Sequence, residues 1–293
     1  MYRCPKSQRS SEADGPACRK PEASIVGGAV SRDPASYVAF PGAGRLQDDR
    51  YGYGFWPYIL PYTSFVLLAQ FSGRFPEDWW LALLFVKPLV PLGMIAFFYS
   101  RGMYPELRGF AAFAKGAPLD IALGVISGLL WMVPYLVAPD GLGESLRSIE
   151  IPLVGIPWPD TADGFDATHA GAEFAALAIA FRGFGYVIVT PQFEELFIRS
   201  FVMRFAIVYD VRKDFRDVPI ATYTARSFWL TTLFFTIGHV GWEYWVAVPW
   251  VMATSWWFYR RRHIGALILL HGAANATILI AAVIADGPLW YFV

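Results

Sequence analysis

Charge is scarce in this 293-residue chain. Asp, Glu, Lys and Arg make up 16% of it, against about 25% in an average soluble domain, while hydrophobic residues reach 56%. That deficit, with several windows near 20 residues almost free of charge, excludes an ordinary soluble domain and fits a chain that crosses about 30 Å of hydrocarbon several times. Net charge is absent too: 24 basic and 24 acidic residues cancel, so no global field draws nucleic acid, and no basic stripe with interleaved aromatics takes its place. Cysteine is limited to Cys4 and Cys18, which form neither a metal motif nor a disulfide framework. A Gly-rich phosphate loop, a serine elbow, a redox motif and the H-E-x-x-H zinc signature are all missing.

What is present divides the chain into two parts. Residues 1–54 are rich in Ser, Gly, Pro and mixed charge with no apolar run, and read as a disordered cytoplasmic tail rather than a signal peptide. Residues 55–293 read as a transmembrane domain. Apolar segments run from Phe55 to Ser72, Trp79 to Ser100 and Ile121 to Ala138; a fourth starts near Ala172 and continues past Glu195; another runs Phe228 to Tyr259, and a last one Ile264 to Ala285. The Phe228–Tyr259 stretch would be about 48 Å long as one helix, too long for one span, so Gly241 and Pro249 predict a break into two short helices. The expected fold is all-α: a polytopic membrane bundle of about seven to eight helices, some short or broken, enclosing a polar cavity.

Loop charges set an orientation. The tail holds eight Lys/Arg, whereas the 139–171 loop holds only Arg147 against Asp140, Glu144, Glu150, Asp160, Asp163 and Asp166. Arg260-Arg261-Arg262 closes another basic end. By the positive-inside rule the tail lies in the cytoplasm and the 139–171 loop outside. Distances counted from Arg226 and Arg262 place the polar residues near mid-membrane, and predict a cavity that opens to the cytoplasmic side.

Three polar pairs interrupt the apolar segments, each spaced i,i+4 so that both members share a helix face. Glu195 and Arg199 form an acid–base pair that offsets the desolvation of each. Glu194, about 100° round the same helix, has no such partner, and an unpaired carboxylate in a low-dielectric cavity suits a general base acting on water. His239 can hold that water, orient Glu194 or ligate a metal, and Phe235 one turn earlier walls the site. His271 and Asn275 offer two donors to a developing oxyanion, or simply bridge helices. Glu194, His239 and His271 also make an adequate zinc set with an open position, so zinc is the runner-up reading of the same atoms. Arg182 is expected to pair with Glu173 or Glu195. His169 reads as solvated, His263 as an interface residue, and the Trp242–Trp257 run as an aromatic belt or cavity lining.

These motifs resemble the type II CAAX prenyl endopeptidases and their bacterial CPBP (Abi) relatives. The family signatures E-E-x-x-x-R, F-x-x-x-H and H-x-x-x-N stand here as Glu194-Glu195…Arg199, Phe235…His239 and His271…Asn275, in the same order, over roughly residues 170–286. Tyr104-Pro105-Glu106-Leu107-Arg108, the run from Arg182 through Pro191 to Arg204, and Gly287…Trp290 look like the subfamily associated with bacterial exosortase (PEP-CTERM) systems. The resemblance implies an intramembrane endopeptidase in which Glu194 and His239 activate water while His271 and Asn275 hold the oxyanion. It also implies a peptidase of glutamate-dependent or metallo type, a membrane-associated protein or peptide substrate, and residence in a bacterial inner membrane. The prenylated substrate of eukaryotic members does not transfer with the motif. The competing expectation is a non-proteolytic protein of the same fold, acting in binding, immunity or the exosortase pathway.

Overall fold

A computed structural model describes residues 52–109, 114–138, 141–148, 158–159, 164–211, 213–285 and 289–293. The tail assignment for residues 1–51, including Cys4 and Cys18, therefore lies outside the described residues, as do Asp140, Glu150, Asp160, Asp163, Arg212 and Gly287. Among the described residues eight helices carry the fold, and none of these residues forms a strand. They are α1 (Trp56–Phe71), α2 (Trp80–Ser100), α3 (Ala117–Leu136), a short α4 (Leu142–Arg147), the long α5 (Ala172–Val208), α6 (Ala225–Ile237), α7 (Tyr244–Arg261) and α8 (Ile264–Ala285). Among the described residues, four helical stretches are long and apolar enough to cross a membrane: Glu77–Ser100, Ala117–Leu136, Ala172–Val208 and Ile264–Ala285. The chain is an integral membrane protein with an all-α bundle.

Local chemistry explains where helices start, bend and stop. Thr224 and Ser227 form a reciprocal capping box that opens α6, satisfying donors that would otherwise be orphaned. The expected break between α6 and α7 occurs at Gly238–Glu243, where Gly241 begins a tight turn. Pro249 makes no break. It sits six positions into α7, and the helix runs on to Arg261. Within α5, two π-helical segments, Phe184–Val189 and Leu196–Val202, alternate with α-helical turns.

Contacts between helices define two ends of the bundle. At one end Phe165 donates its N–H to the Trp290 carbonyl (3.1 Å), Phe165 stacks on Trp80, and Tyr135 packs edge-on against Phe292. His169 is not simply solvated there: it lies over the Trp80 ring and 3.4 Å from Glu77. At the other end buried Asp120 accepts from Trp257 (2.9 Å) and from Arg261 (2.8 and 3.1 Å). His263 accepts the Gly265 N–H at the start of α8 (3.0 Å). Glu106, in the Pro105–Leu107 turn, pairs with Arg204 at 3.1 Å and also accepts from Ser200, while Tyr58 and Tyr104 donate to the Met103 and Pro57 carbonyls. The Tyr104–Arg108 motif is thus a clamp on the last turns of α5. These two ends are called below the Phe292 end and the Arg261 end.

Between them, α8 is held by close backbone approach. A Cβ on Gly124 would lie 2.3 Å from the Leu270 carbonyl oxygen, one on Gly128 2.6 Å from that of Ala274, and one on Gly272 2.8 Å from that of Val187. Glycine at these positions lets α3 and α5 pack against α8 without side chains between them, as small residues do in membrane interfaces. A second tie is polar. Arg199 is wholly buried; it donates to Glu195 (3.2 Å), to Thr254 (2.7 Å) and to Ser255, joining α5 to α7.

Two outcomes follow for the purified protein in detergent. Gly128→Leu should cost about 1–3 kcal/mol through overpacking and lower the thermal midpoint, whereas Gly93→Ala, whose Cβ meets nothing within 4 Å, should leave it unchanged. Equal effects would refute the close-packing account. Arg199→Ala, which strands Glu195, should cost about 3–5 kcal/mol, and adding Glu195→Ala should recover part of that loss in the same melting assay.

Candidate active site

The polar pairs meet at a cavity of about 390 Å³ whose wall includes Glu194, His239, His271 and Asn275. Each reaches it by a different route. Glu194 and Glu195 close the α-helical turn Thr190–Glu195 of α5. His271 and Asn275 share one face of α8, as their spacing predicts. His239 departs from expectation: α6 ends at Ile237, so His239 stands in the turn beyond it. Its tie to Phe235 is through the backbone, with ring Nδ1 2.8 Å from the Phe235 carbonyl oxygen. Because a carbonyl can only accept, Nδ1 carries the proton and Nε2 is left as an acceptor.

Phe235 walls the site as expected. Its ring lies 4.4 Å from His239 and stacks on Trp250 at 5.0 Å, and Trp250 in turn packs edge-on to His271 at 5.0 Å. Trp131 flanks His239 and donates its indole N–H to Glu243 (3.3 Å). These rings pin the imidazoles by packing, beside the hydrogen bond each makes through Nδ1.

His271 lies between the two glutamates. Nδ1 is 3.1 Å from Glu195 Oε1 and Nε2 is 3.8 Å from Glu194 Oε2. Glu195 is also bonded to the buried Arg199, so it serves as an ionic acceptor for the His271 Nδ1–H. The Glu195–Arg199 pair is therefore more than a scaffold, since through His271 it fixes which ring nitrogen faces Glu194.

Asn275 owes its position to a proline. In the first π-helical segment the Thr190 N–H bonds the Gly185 carbonyl, a register in which the carbonyl of Tyr186 looks to residue 191. That residue is Pro191, which has no N–H to give. The Asn275 amide supplies the missing donor at 2.8 Å. One amide hydrogen is thereby committed to bridging α8 and α5, and the second remains for the cavity.

Other expectations meet different outcomes. Arg182 pairs with neither Glu173 nor Glu195; it lies 5.8 Å from the Phe165 and Tyr186 ring centroids, with its buried Nε lacking a hydrogen-bond partner. Pairing failed because Glu195 is turned toward Arg199 and His271. The cavity does not run to the Arg261 end. From Glu194 and His271 it extends past Arg182, Lys87 and Val240 to Phe292, the opposite direction to the one predicted. Glu194, His239 and His271, the possible zinc set, all line this cavity; among the described residues no group of three His, Cys, Asp or Glu side chains is placed to hold an ion. Sequence reading missed Glu243, although it is the only acid between residues 218 and 285. It also missed Thr254 and Ser255, which carry no charge to flag them.

Residues 176–277 match the family described as Type II CAAX prenyl endopeptidase Rce1-like. No curated protein and no solved structure matches the chain. The matched stretch runs from α5 through most of α8 and contains every residue of the three polar pairs, so over these residues the chain is similar to the type II CAAX prenyl endopeptidases.

Proposed function

We propose that the protein hydrolyses a peptide bond of a membrane-associated substrate, with a water molecule activated at Glu194. The observation that carries this reading is the His271 bridge: one imidazole contacts both glutamates, Glu195 as its anchor and Glu194 as its neighbour across the cavity wall. Glu194 pairs with neither Arg199 nor Arg182, so its carboxylate is available to take a proton from water.

The nitrogens facing the cavity favour a water donor. His239 offers Nε2 as an acceptor, as does neutral His271, so a water can give one hydrogen to Glu194 and one to His239 while its lone pair faces a carbonyl carbon. Attack forms the C–O bond and pushes the carbonyl electrons onto oxygen. The resulting oxyanion is met by the second Asn275 amide hydrogen, and by His271 Nε2 while it shares with Glu194 the one proton taken from the water. The proton held at Glu194 then passes to the departing amine as the C–N bond breaks. Glu195 is a positioning residue in this scheme, and Phe235, Trp250 and Trp131 limit water access.

Orientation adds one element. The Arg261 end gathers Arg108, Lys115, Lys213, Arg226 and Arg260–Arg262, and the positive-inside rule assigns that end to the cytoplasm. The cavity then faces away from the cytoplasm, and substrate reaches it from the outer half of the bilayer.

Glu194→Ala should lower cleavage about 10²–10⁴-fold with the melting transition intact; full activity in a membrane-proteome comparison, with no precursor accumulating, would sink the mechanism. Asn275→Ala should cost about 1–3 kcal/mol of stability by orphaning the Tyr186 carbonyl, and should also lower kcat. A purely bridging Asn275 would lose stability while kcat, measured well below the melting temperature, stayed unchanged.

A further inference from the structure

The cavity contains two cations that the hydrolytic scheme does not use. Lys87 on α2 and Arg182 on α5 both line it. Their helices touch here, since a Cβ on Gly185 would meet the Pro88 ring at 3.3 Å. Placing two like charges together within apolar spans is costly, and an ionisable group at such depth marks a site by default.

Two other buried arginines and the half-buried Arg261 show how this chain normally handles that cost. Arg199 has Glu195, Arg204 has Glu106 and Arg261 has Asp120. Among the described residues no carboxylate lies within ion-pair distance of Lys87 or Arg182, although Glu194 and Glu243 line the same cavity. The Arg182 guanidinium is instead held near the faces of Phe165 and Tyr186, with its buried Nε unpartnered. A fixed planar guanidinium with spare donors matches a two-oxygen anion, and the Lys87 ammonium adds a second charge.

Distance ties this pair to the chemistry. Arg182 precedes Glu194 by 12 positions on α5, about 18 Å along the axis. An extended chain covers that in about five residues, and fewer once the arginine side chain leans toward the centre.

We propose that Lys87 and Arg182 form an anion subsite that receives a carboxylate of the peptide substrate, terminal or side-chain, about three to five residues from the scissile bond. The inference rests on the endopeptidase reading for its distance, but the subsite itself can be tested by binding alone. Lys87 lies outside the stretch that matches the family, so the pair would be a selectivity feature added by the amino-terminal helices.

The test uses the full chain carrying Glu194→Gln, reconstituted in neutral-lipid nanodiscs, and three dye-labelled apolar decapeptides. One ends in a free carboxylate, one in a carboxamide, and one in a carboxamide following a final Glu. We expect the two acidic peptides to bind about tenfold more tightly than the neutral one, a charge-assisted contact's worth. Adding Lys87→Gln with Arg182→Gln should erase that preference without changing affinity for the neutral peptide. Arg182→Lys, which keeps the charge, should retain part of it, and unchanged melting curves would show that each variant folds. Which acidic peptide gains more identifies the carboxylate's source. Equal binding of all three peptides, no binding of any, or a preference that survives the double change would overturn the proposal. So would a gain seen only with phosphatidylglycerol in the nanodisc, which would assign the cations to a lipid headgroup. Cleavage by the wild-type chain that ignores the carboxylate would reject the subsite and leave the protease standing; acid-selective binding with no cleavage of any peptide would do the reverse.

Discussion

Burying Arg199 is the constraint on which the rest of this structure depends. A guanidinium with no exposure to solvent must have its donors satisfied inside the protein, and a charge left alone there would be prohibitive. Glu195 supplies the countercharge from the same helix, while Thr254 and Ser255 supply oxygens from α7. The price of that arrangement is geometric rigidity, and the site exploits it. Glu195 is held so firmly that its other oxygen can fix His271, which arrives from a helix 76 positions further along the chain.

A second dependency runs through irregular helix. The two π-helical segments of α5 flank the Thr190–Glu195 turn on either side. Such segments often occur at functional sites because they free backbone groups and re-aim side chains. Here the first leaves a carbonyl for Asn275, and the second begins just after the two glutamates. Glycines 124, 128 and 272 then bring α3 and α5 against α8 closely enough for those contacts to form. Without them the imidazole and amide of α8 would stand away from α5.

Much of this was legible from the residues alone. The charge deficit and apolar runs identified a membrane bundle, and the i,i+4 spacings selected the side chains that line the cavity. Spacing worked for His271 and Asn275 because both lie inside one regular helix. It worked less well for His239, because the last turn of α6 ends two residues earlier. What sequence could not reveal were pairings set by tertiary geometry. Arg182 was assigned an acid because charges at depth usually have one, yet Glu195 was already bound on both oxygens. Pro249 reads as a break, but a membrane helix tolerates a proline where neighbouring groups cover the freed carbonyl. The direction of the cavity depended on which half of each helix turns its polar residues inward, and loop charges do not report that.

Pro191 carries a consequence that extends beyond its own turn. By withholding a hydrogen it leaves the backbone of α5 incomplete, and that vacancy is filled only when α8 is docked in the correct register. The helix is therefore finished by its neighbour, so assembly of the bundle and completion of α5 become one event. A substitution there that restored an N–H would let α5 close on itself. The bundle would lose its check on whether Asn275, and His271 one turn before it, had arrived at the site.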